Sequence, residues 1–256
     1  MAESTLTETP IYDRPSFFEN YLQLPRQQHG LDGASEWPIM RAILGDLKEK
    51  RVLDLGCGLG WFARYAAAQG ARHIDASDIS TNMIEKAKSM TNEELQEKMK
   101  YEIQDLNTIE LKSEEYDIVY SSLALHYLSK DSFIRLLQQI YGSLTSGGKF
   151  VFSCEHPIFT APSNPAFLAA SSSSGDEGHP VWPLTRYADE GVRRTDWMGG
   201  VVKYHRTLEG ILGGLLEAGF AIKSVREWVA RRADVKEGWD GEGSRPMFLI
   251  VGVEKV

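Results

Sequence analysis

Residues 52–60 of the chain are Val-Leu-Asp-Leu-Gly-Cys-Gly-Leu-Gly, "VLDLGCGLG", with three glycines in five positions directly after an apolar run. Glycines at this spacing are typical of a backbone that turns tightly or approaches a ligand closely. The apolar run predicts a buried parallel strand, and "WFARYAAAQG" (61–70) predicts a helix that ends at Gly70. A strand, a glycine turn and a helix form the first unit of a nucleotide-binding α/β sheet.

The composition of the whole chain excludes several classes of protein. The 256 residues carry a formal net charge of −8, which disfavours a general binder of nucleic acid or anionic membranes. The two cysteines, Cys57 and Cys154, match no metal-binding spacing and predict neither a metal site nor a disulfide framework. The acidic, polar start is unlike a signal peptide, and no apolar stretch is long enough to span a bilayer. We therefore expect a cytoplasmic protein without membrane partners.

The pattern beyond the glycine turn predicts a doubly wound sheet. Strand-like apolar segments alternate with amphipathic segments of helical spacing as far as residue 155. This alternation is typical of parallel strands joined by right-handed helical crossovers. The predicted strands are Arg51 to Leu55, "RHIDASDIS" (72–80), "KYEIQDL" (100–106), "YDIVYSSL" (116–123) and "KFVFSCE" (149–155).

Both ends of the chain add elements to this sheet. Two N-terminal helices are predicted at 15–24 and 35–50, the second with Ser35 as its N-cap. Near the C-terminus, the helix "TLEGILGGLLEAGF" (207–220) precedes two strands, "AIKSVREW" (221–228) and "PMFLIVGVEKV" (246–256). Because a polar loop joins these strands, we expect an antiparallel hairpin at the edge of the sheet. Such an ending is not the usual dinucleotide-binding plan.

Residues 156–205 interrupt the alternation with proline, serine, glycine and aromatic residues. A connection of this length in a compact domain is typical of a lid or a binding loop. Its aromatic content argues against simple disorder, because such side chains normally become buried. The stretch "AASSSSGDEGHP" (169–180) is expected to be its most mobile part.

The glycine turn and the C-terminal hairpin together resemble the class I S-adenosylmethionine-dependent methyltransferases, in particular the small-molecule branch related to ubiquinone-biosynthesis methyltransferases. Asp54, Gly56, Gly58 and Gly60 fill the D-x-G-x-G-x-G turn of that family. The resemblance covers residues 50–155 and, by architecture, 206–256. It implies a Rossmann-like α/β fold whose mostly parallel seven-stranded sheet has the order 3-2-1-4-5-7-6 and ends in an antiparallel hairpin.

The resemblance also implies one methyltransferase domain over residues 1–256. A helical cap (1–50) would precede the cofactor-binding core (51–155), followed by the lid (156–205) and the C-terminal helix and hairpin (206–256). S-adenosyl-L-methionine is the implied cofactor. The implied reaction is in-line transfer of its methyl group to a small organic acceptor, through an N, O, S or C atom that the sequence does not determine.

Acidic residues at two strand ends are the expected contacts of the nucleoside. Asp78 ends strand two, where the family places an acid on the ribose hydroxyls, and Ile79 would pack against adenine. The alternative is that Asp78 only caps the helix that starts near Ser80. Asp105 would accept from the adenine amino group, with Leu106 beside the ring, unless Asp105 is an ordinary turn residue.

Two further groups complete the expected cofactor site. Ser121 and Ser122, at the end of strand four, would lie beside the methionine portion of the cofactor. From the N-terminal helices, Tyr21 and Arg26 would meet its carboxylate, for which a bidentate arginine is suited. A solvent-facing Arg26 is the alternative. The expected cofactor-binding residues are Tyr21, Arg26, Asp54, Gly56, Cys57, Gly58, Gly60, Asp78, Ile79, Asp105, Leu106, Ser121 and Ser122.

Methyl transfer requires a close in-line approach and exclusion of water, and some acceptors also need a base. His126, Glu155 and His156 are the candidate catalytic residues, and catalysis by positioning alone is the alternative that we favour. Pro157 biases His156 to an extended conformation, so Glu155 and His156 point in opposite directions and one of them faces the pocket. The expected substrate-binding residues are Tyr127, Trp182, Tyr187, Tyr204 and His205.

Two other functions remain open at this point. An NAD(P)-dependent oxidoreductase shares the glycine turn, but its G-x-G-x-x-G spacing places the third glycine one residue later than Gly60. A protein that binds the cofactor without catalysis is the other, because the family has no obligatory catalytic residue.

Overall fold

Seven strands form the central sheet of the computed structural model, which describes residues 9–163, 166–168, 181–230 and 242–256. The parallel strands are β1 (Arg51–Leu55), β2 (His73–Asp78), β3 (Met99–Ile103), β4 (Tyr116–Ser122) and β5 (Leu144–Glu155). Strand β9 (Pro246–Lys255) pairs antiparallel with β5, and β8 (Phe220–Val229) pairs antiparallel with β9. The order is β3-β2-β1-β4-β5-β9-β8, which confirms the predicted order because β8 and β9 are its sixth and seventh strands along the chain.

Nine α-helices lie within the described ranges, with short 3-10 turns between them. Ser80 caps α5 (Thr81–Ser89), since its Oγ accepts a hydrogen bond from the Met83 N–H at 3.1 Å. Ser35 does not cap α3, because that helix begins after Glu36. The helices are α1 (Pro15–Tyr21), α2 (Pro25–Gln28), α3 (Trp37–Leu44), α4 (Trp61–Ala68), α5 (Thr81–Ser89), α6 (Glu93–Gln96), α7 (Lys130–Ser143), α8 (Pro157–Thr160) and α9 (Leu208–Glu217).

Both faces of the sheet are covered by apolar helix faces. On one face, Phe133 of α7 and Leu215 of α9 pack in a core cluster with Phe150 of β5. On the other face, Met40 of α3 and Phe62 of α4 pack in a cluster with strand residues of β1 and β2. Because the parallel strands are buried on both faces, the loops at their carboxyl ends remain as the place where polar side chains meet.

The predicted lid contains regular structure that the sequence pattern did not indicate. Strands β6 (Gly191–Thr195) and β7 (Val201–His205) form an antiparallel hairpin separate from the main sheet. The stretch 169–180, which we expected to be the mobile part, lies outside the described residues. In the described ranges, no helix combines the length and the apolar character needed to cross a membrane.

Candidate functional site

Three adjoining spaces lie at the carboxyl ends of the parallel strands. The outer chamber, about 250 Å³, is bordered by Asp78, Asp105 and the 3-10 turn Ile11–Asp13. The inner chamber, about 80 Å³, is bordered by Asp54 and the glycine turn. The large cavity, about 580 Å³, lies between the N-terminal helices and the lid. Tyr21 lines all three spaces, so they adjoin at one wall.

The three glycines of the turn share a backbone conformation but differ in what surrounds them. All have left-handed backbone, with φ of 72°, 51° and 70° at Gly56, Gly58 and Gly60. A Cβ on Gly56 would lie 2.5 Å from Ala124 Cβ, and one on Gly60 would lie 2.4 Å from Tyr101 Oη. A Cβ on Gly58 would meet nothing within 4 Å, so Gly58 opens on the two chambers that it lines. Gly60 is therefore required for packing and for the start of α4, rather than for the ligand contact that we expected.

Asp54 presents an unpaired acidic oxygen to the inner chamber. Its side chain is 1% exposed, and its Oδ2 has no hydrogen-bond partner among the described residues. Burial, with the charge of Asp78, raises the pKa of Asp54 to about 8. Gln27 Oε1 and Trp61 Nε1 border the same chamber and also lack partners within the described ranges. These orphaned groups fit a polar, cationic ligand such as the methionine portion of S-adenosylmethionine.

Asp78 belongs both to the glycine turn and to the start of α5. Its Oδ2 accepts from the Gly58 N–H at 2.9 Å, and its Oδ1 accepts from the Ser80 N–H at 3.0 Å. Burial raises the pKa of Asp78, and these backbone hydrogen bonds oppose the rise. Asp78 therefore makes the hydrogen bond with the Ser80 N–H that its alternative role, capping of α5, requires. Because each carboxylate oxygen has two lone pairs, Asp78 keeps the capacity to accept from ribose hydroxyls in the outer chamber that it lines.

Ile79, Asp105 and Leu106, which we expected at the adenine, all line the outer chamber. Oδ1 of Asp105 accepts from both the backbone N–H and the side-chain amide of Asn107, each at 2.8 Å. Asp105 therefore shapes its own turn, as the alternative supposed, while lining the chamber. Ile79 is 41% exposed, which leaves an apolar surface for a flat ring at this end.

The two serines at the end of β4 differ in direction. Ser122 lines both chambers, with its Oγ 3.3 Å from Glu36 Oε1. Ser121 is fully buried and donates to the Leu55 carbonyl at 2.8 Å, so its side chain does not fit the cofactor contact that we expected. Successive side chains of a strand point to opposite faces, which explains the difference. The next residue, Leu123, has a left-handed φ of 53° and lies between the outer chamber and the large cavity.

Arg26 lies at the inner chamber, but it carries a partner that we did not predict. Its Nη2 donates to both carboxylate oxygens of Glu36, at 2.6 and 2.9 Å. Glu36 is fully buried, so its charge is matched by this guanidinium. A carboxylate bound beside Arg26 would therefore meet a guanidinium whose charge is largely compensated. Among the described residues, Arg26 and Tyr21 border both the inner chamber and the large cavity, as a contact at the methionine end requires.

The large cavity combines aromatic walls with a buried ion pair. Lys203 donates from Nζ to Glu155 Oε1, and the two side chains are 6% and 11% exposed. The Lys203 ammonium also lies 5.1 Å from the centre of the Trp197 ring. Oε2 of Glu155 is buried and has no hydrogen-bond partner in the described part of the chain. Burial raises the pKa of Glu155, and Lys203 opposes the rise.

His126 borders this cavity but is poorly suited to act as a base. Its Nδ1 accepts from the backbone N–H of Glu155 at 3.4 Å, which leaves the ring proton of the neutral imidazole on Nε2. Burial, with the positive charges of Lys203 and Arg206, lowers the pKa of His126 well below its ordinary value. The free ring nitrogen is consequently a donor at neutral pH.

His156 does not fit the catalytic role that we considered for it. The side chain is fully buried, with Nδ1 accepting from the Ile158 N–H and Nε2 paired with Glu227 at 2.9 Å. It caps α8 and ties that helix to β8. Glu155, the preceding residue, is the one that lines the cavity, as the opposite directions of the two side chains require.

The expected substrate-binding residues divide into two groups. Tyr127 and Trp182 line the large cavity. Tyr187 instead accepts from the Leu208 N–H at 3.0 Å, and His205 is buried against Thr160 Oγ1 at 2.7 Å. Tyr204 borders only a small void under the lid, so these three positions are corrections. β7 alternates its faces, and Lys203 is the residue near its end that meets the cavity.

Several site residues carried no recognisable sequence signal. Glu36 precedes an ordinary helix, and Lys203 follows two valines within a segment that we expected to be loop. Arg245 lies 3.9 Å from the ring centre of Trp182, over a group that also includes Phe159 and Phe167. Long-range pairing of this kind leaves no local pattern to recognise. The missed residues are Tyr12, Asp13, Glu36, Lys203 and Arg245.

Comparisons with known proteins agree with this geometry. A family model described as "Methyltransferase domain" matches residues 52–148. The crystal structure of an S-adenosylmethionine-dependent methyltransferase from Mesorhizobium loti is 40% identical with a TM-score of 0.77, covering 88% of this chain and 100% of that one. An uncharacterized protein of Haemophilus influenzae is 31% identical over 255 residues, covering 96% of this chain and 97% of the relative.

Two relatives with named acceptors match a smaller part of the chain. Phosphoethanolamine N-methyltransferase 2 of Caenorhabditis elegans is 30% identical over 43% of this chain and 25% of its own length. A malonyl-[acyl-carrier protein] O-methyltransferase of Erwinia billingiae is 30% identical over 41% of this chain and 38% of its own length. The matched part is thus well under half of either enzyme.

Proposed function

The chain belongs to the family of S-adenosylmethionine-dependent methyltransferases, and we propose that it methylates a small organic acceptor through a nitrogen or oxygen that carries a proton. S-adenosylmethionine is its cofactor, and when bound it supplies a methyl group on a positively charged sulfur. Neither the nicotinamide-dependent oxidoreductase nor the non-catalytic binding protein is favoured by these relatives.

The observation that carries the proposal is the unpaired Oε2 of Glu155 in the large cavity. A buried carboxylate oxygen without a donor costs free energy, on the order of 1–3 kcal/mol or more. An acceptor that brings an N–H or O–H to this atom removes the cost and is oriented by the same contact. Glu155 lies in the cavity that Leu123 and Tyr127 separate from the outer chamber, so the oriented group would lie close to the cofactor site.

The charge of Glu155 also bears on the chemistry of the acceptor atom. A carboxylate acceptor would place a second negative charge beside Glu155, whereas an amine or a hydroxyl donates to it. Among the relatives with named acceptors, the phosphoethanolamine N-methyltransferase acts on an amine, which agrees with this argument. We therefore assign the acceptor to the amines or hydroxyl compounds.

Positioning supplies most of the catalysis in this proposal. The cavity walls include Phe159, Trp182 and Trp197, which exclude water and give a flat apolar surface for the acceptor. Glu155 holds the donor atom, and its raised pKa suits it to receive the proton that the acceptor loses. His126 contributes a neutral N–H at the same wall rather than a base.

A small acceptor, rather than a nucleic acid, agrees with the charge and with the form of the cavity. The chain has a net charge of −8, and a nucleic-acid site requires a basic surface. The large cavity is walled by the N-terminal helices on one side and by Trp182 and Trp197 of the lid on the other. The division into cap, core and lid and the cytoplasmic location stay predictions.

The test compares Glu155→Gln with Asp196→Asn, the other acid of the same cavity, which is exposed. Each protein is incubated with methyl-labelled S-adenosylmethionine and a metabolite extract supplemented with amines and phenols, and labelled products are quantified by mass spectrometry. Glu155→Gln should lower the rate of product formation by on the order of 10²-fold, the range of a general-base contribution. Asp196→Asn should stay within threefold of wild type, and cofactor affinity should be unchanged in both variants.

Two results would contradict the proposal. Wild-type activity in Glu155→Gln would remove Glu155 from the reaction. Labelled products that are carboxylate esters would show that the acceptor atom is not a protonated nitrogen or oxygen.

A further inference from the structure

The side chain of Asp13 is one of the groups that attach the N-terminal segment to the core. Its Oδ1 accepts from Ser80 Oγ at 2.5 Å and from the Asn82 N–H at 3.0 Å, and its Oδ2 accepts from the Thr81 N–H at 3.2 Å. These donors are at the first turn of α5, where backbone N–H groups lack helical partners and the helix dipole favours a negative charge. Asp13 therefore holds the segment to the core from 67 residues away in the chain.

The segment held in this way is a wall of the cofactor site. Pro10, Ile11 and Tyr12 line the outer chamber together with Asp78, and Ser80 is shared between the two acids. The N–H of Ser80 donates to Asp78 while its hydroxyl donates to Asp13. The acid expected at the ribose and the acid that holds the wall are thus bonded to the same residue.

The same segment also contributes to the wall of the large cavity, which is proposed to hold the acceptor. Tyr12 lines the large cavity, and its hydroxyl is 2.9 Å from that of Tyr127. Its ring lies 5.1 Å from that of Phe17, and Phe17 lies 5.8 Å from Trp197 of the lid. Movement of this segment would open the outer chamber and the large cavity together.

We propose that Asp13 is a positioning residue that latches the N-terminal segment over the bound cofactor and so controls the rate of cofactor exchange. A ligand in the outer chamber lies against the Ile11–Asp13 turn, and its release is faster when the three hydrogen bonds of Asp13 are lost.

The test measures the dissociation rate of S-adenosylhomocysteine, the demethylated cofactor, by surface plasmon resonance without any acceptor. Asp13→Ala should release it about tenfold faster than wild type, and Asp13→Asn about threefold faster, because the amide keeps one acceptor oxygen. Glu19→Gln is the matched control, since it removes one charge from the exposed side of α1 in the same segment, and it should stay within twofold. Hydrogen exchange should rise in residues 11–24 of Asp13→Ala with the ligand bound, and not in β1 or β4.

An unchanged dissociation rate in both Asp13 variants would overturn the latch. An equally fast release of S-adenosylhomocysteine from Glu19→Gln would show that loss of one negative charge is enough to explain the change. That result would also overturn the latch. If Asp13→Ala loosens the core, hydrogen exchange will also increase in β1. In that case the dissociation rate from Asp13→Asn decides whether the latch exists. The experiment uses no acceptor, so its failure leaves the proposed function intact, and failure to identify a methylated product leaves the latch intact.

Discussion

The backbone N–H of Glu155 donates to Nδ1 of His126 across 3.4 Å, so the imidazole and the acid that border the large cavity are joined through the backbone of β5. This bond occupies the lone pair of one ring nitrogen and leaves the proton on the other. The histidine that follows strand four therefore lies at the expected place, but neither ring nitrogen of its neutral imidazole has a free lone pair to act as a base. The contribution of His126 to catalysis is tested by the dependence of kcat on pH.

We expect no kinetic titration at the ordinary pKa of imidazole. Burial lowers the pKa of His126 well below 6.5, so the ring is neutral from pH 6 to 9 and its charge does not change in that range. His126→Asn should lower kcat by less than about tenfold, below the usual contribution of a general base. The measurement is kcat against pH for both proteins. A limb near pH 6.5 that is absent in His126→Asn would restore the base role.

Cofactor binding should be linked to a proton at Asp54. The pKa of Asp54 is raised to about 8 without ligand, so at pH 6 the carboxyl is protonated and must ionise to hold a cationic ammonium. Affinity should therefore rise between pH 6 and 7.5, with proton release visible by calorimetry in two buffers of different ionisation enthalpy. Asp54→Asn should bind more weakly and lose this part of the proton release. The amino group of the cofactor titrates equally in experiments with wild type and with Asp54→Asn. Identical profiles of affinity against pH for the two proteins would therefore contradict a proton linkage at Asp54.

Substitutions on β2 distinguish the two acids of that strand. Asp78→Asn should weaken cofactor binding by about 1–3 kcal/mol, the cost of leaving buried hydroxyls with a poorer partner. Asp75→Asn is the control, because Asp75 lies earlier in the strand and its carboxylate accepts from the Tyr116 hydroxyl at 2.9 Å. It should lower thermal stability but leave the dissociation constant within twofold. Equal loss of affinity in both variants would favour a structural role for Asp78.

Two aromatic residues of the lid should separate acceptor binding from folding. Trp182 lines the large cavity, so Trp182→Ala should raise the KM for the acceptor by about tenfold or more and leave cofactor affinity unchanged. Tyr187 bonds the start of α9 through its hydroxyl, so Tyr187→Phe should lower Tm by a few degrees, as expected for loss of about 1 kcal/mol, with KM unchanged. A raised KM in Tyr187→Phe would return that residue to the acceptor site.

The arrangement of the sheet was predictable because it is set by local patterns. The apolar runs, the glycine turn and the polar loop before the last strand each specify short-range structure, and the connection rules leave few topologies for them. The same reasoning located Asp54, Gly58, Asp78 and Asp105 at strand ends, since parallel strands bring their carboxyl ends to one edge of the sheet. The sequence pattern therefore predicts where the cleft lies.

The acceptor side depended on contacts that no local pattern encodes. Lys203 reaches Glu155 across 48 residues, and Asp13 reaches Ser80 across 67. The pKa of His126 is lowered by burial and by neighbouring charges, which act on the ring only after the lid and β5 have packed around it. The sequence by itself determined the fold and which residues lie at the carboxyl ends of the parallel strands, where strand geometry is repetitive. Tertiary structure alone decided which side chains face the large cavity, because alternation within a short hairpin and long-range ion pairing depend on register and packing.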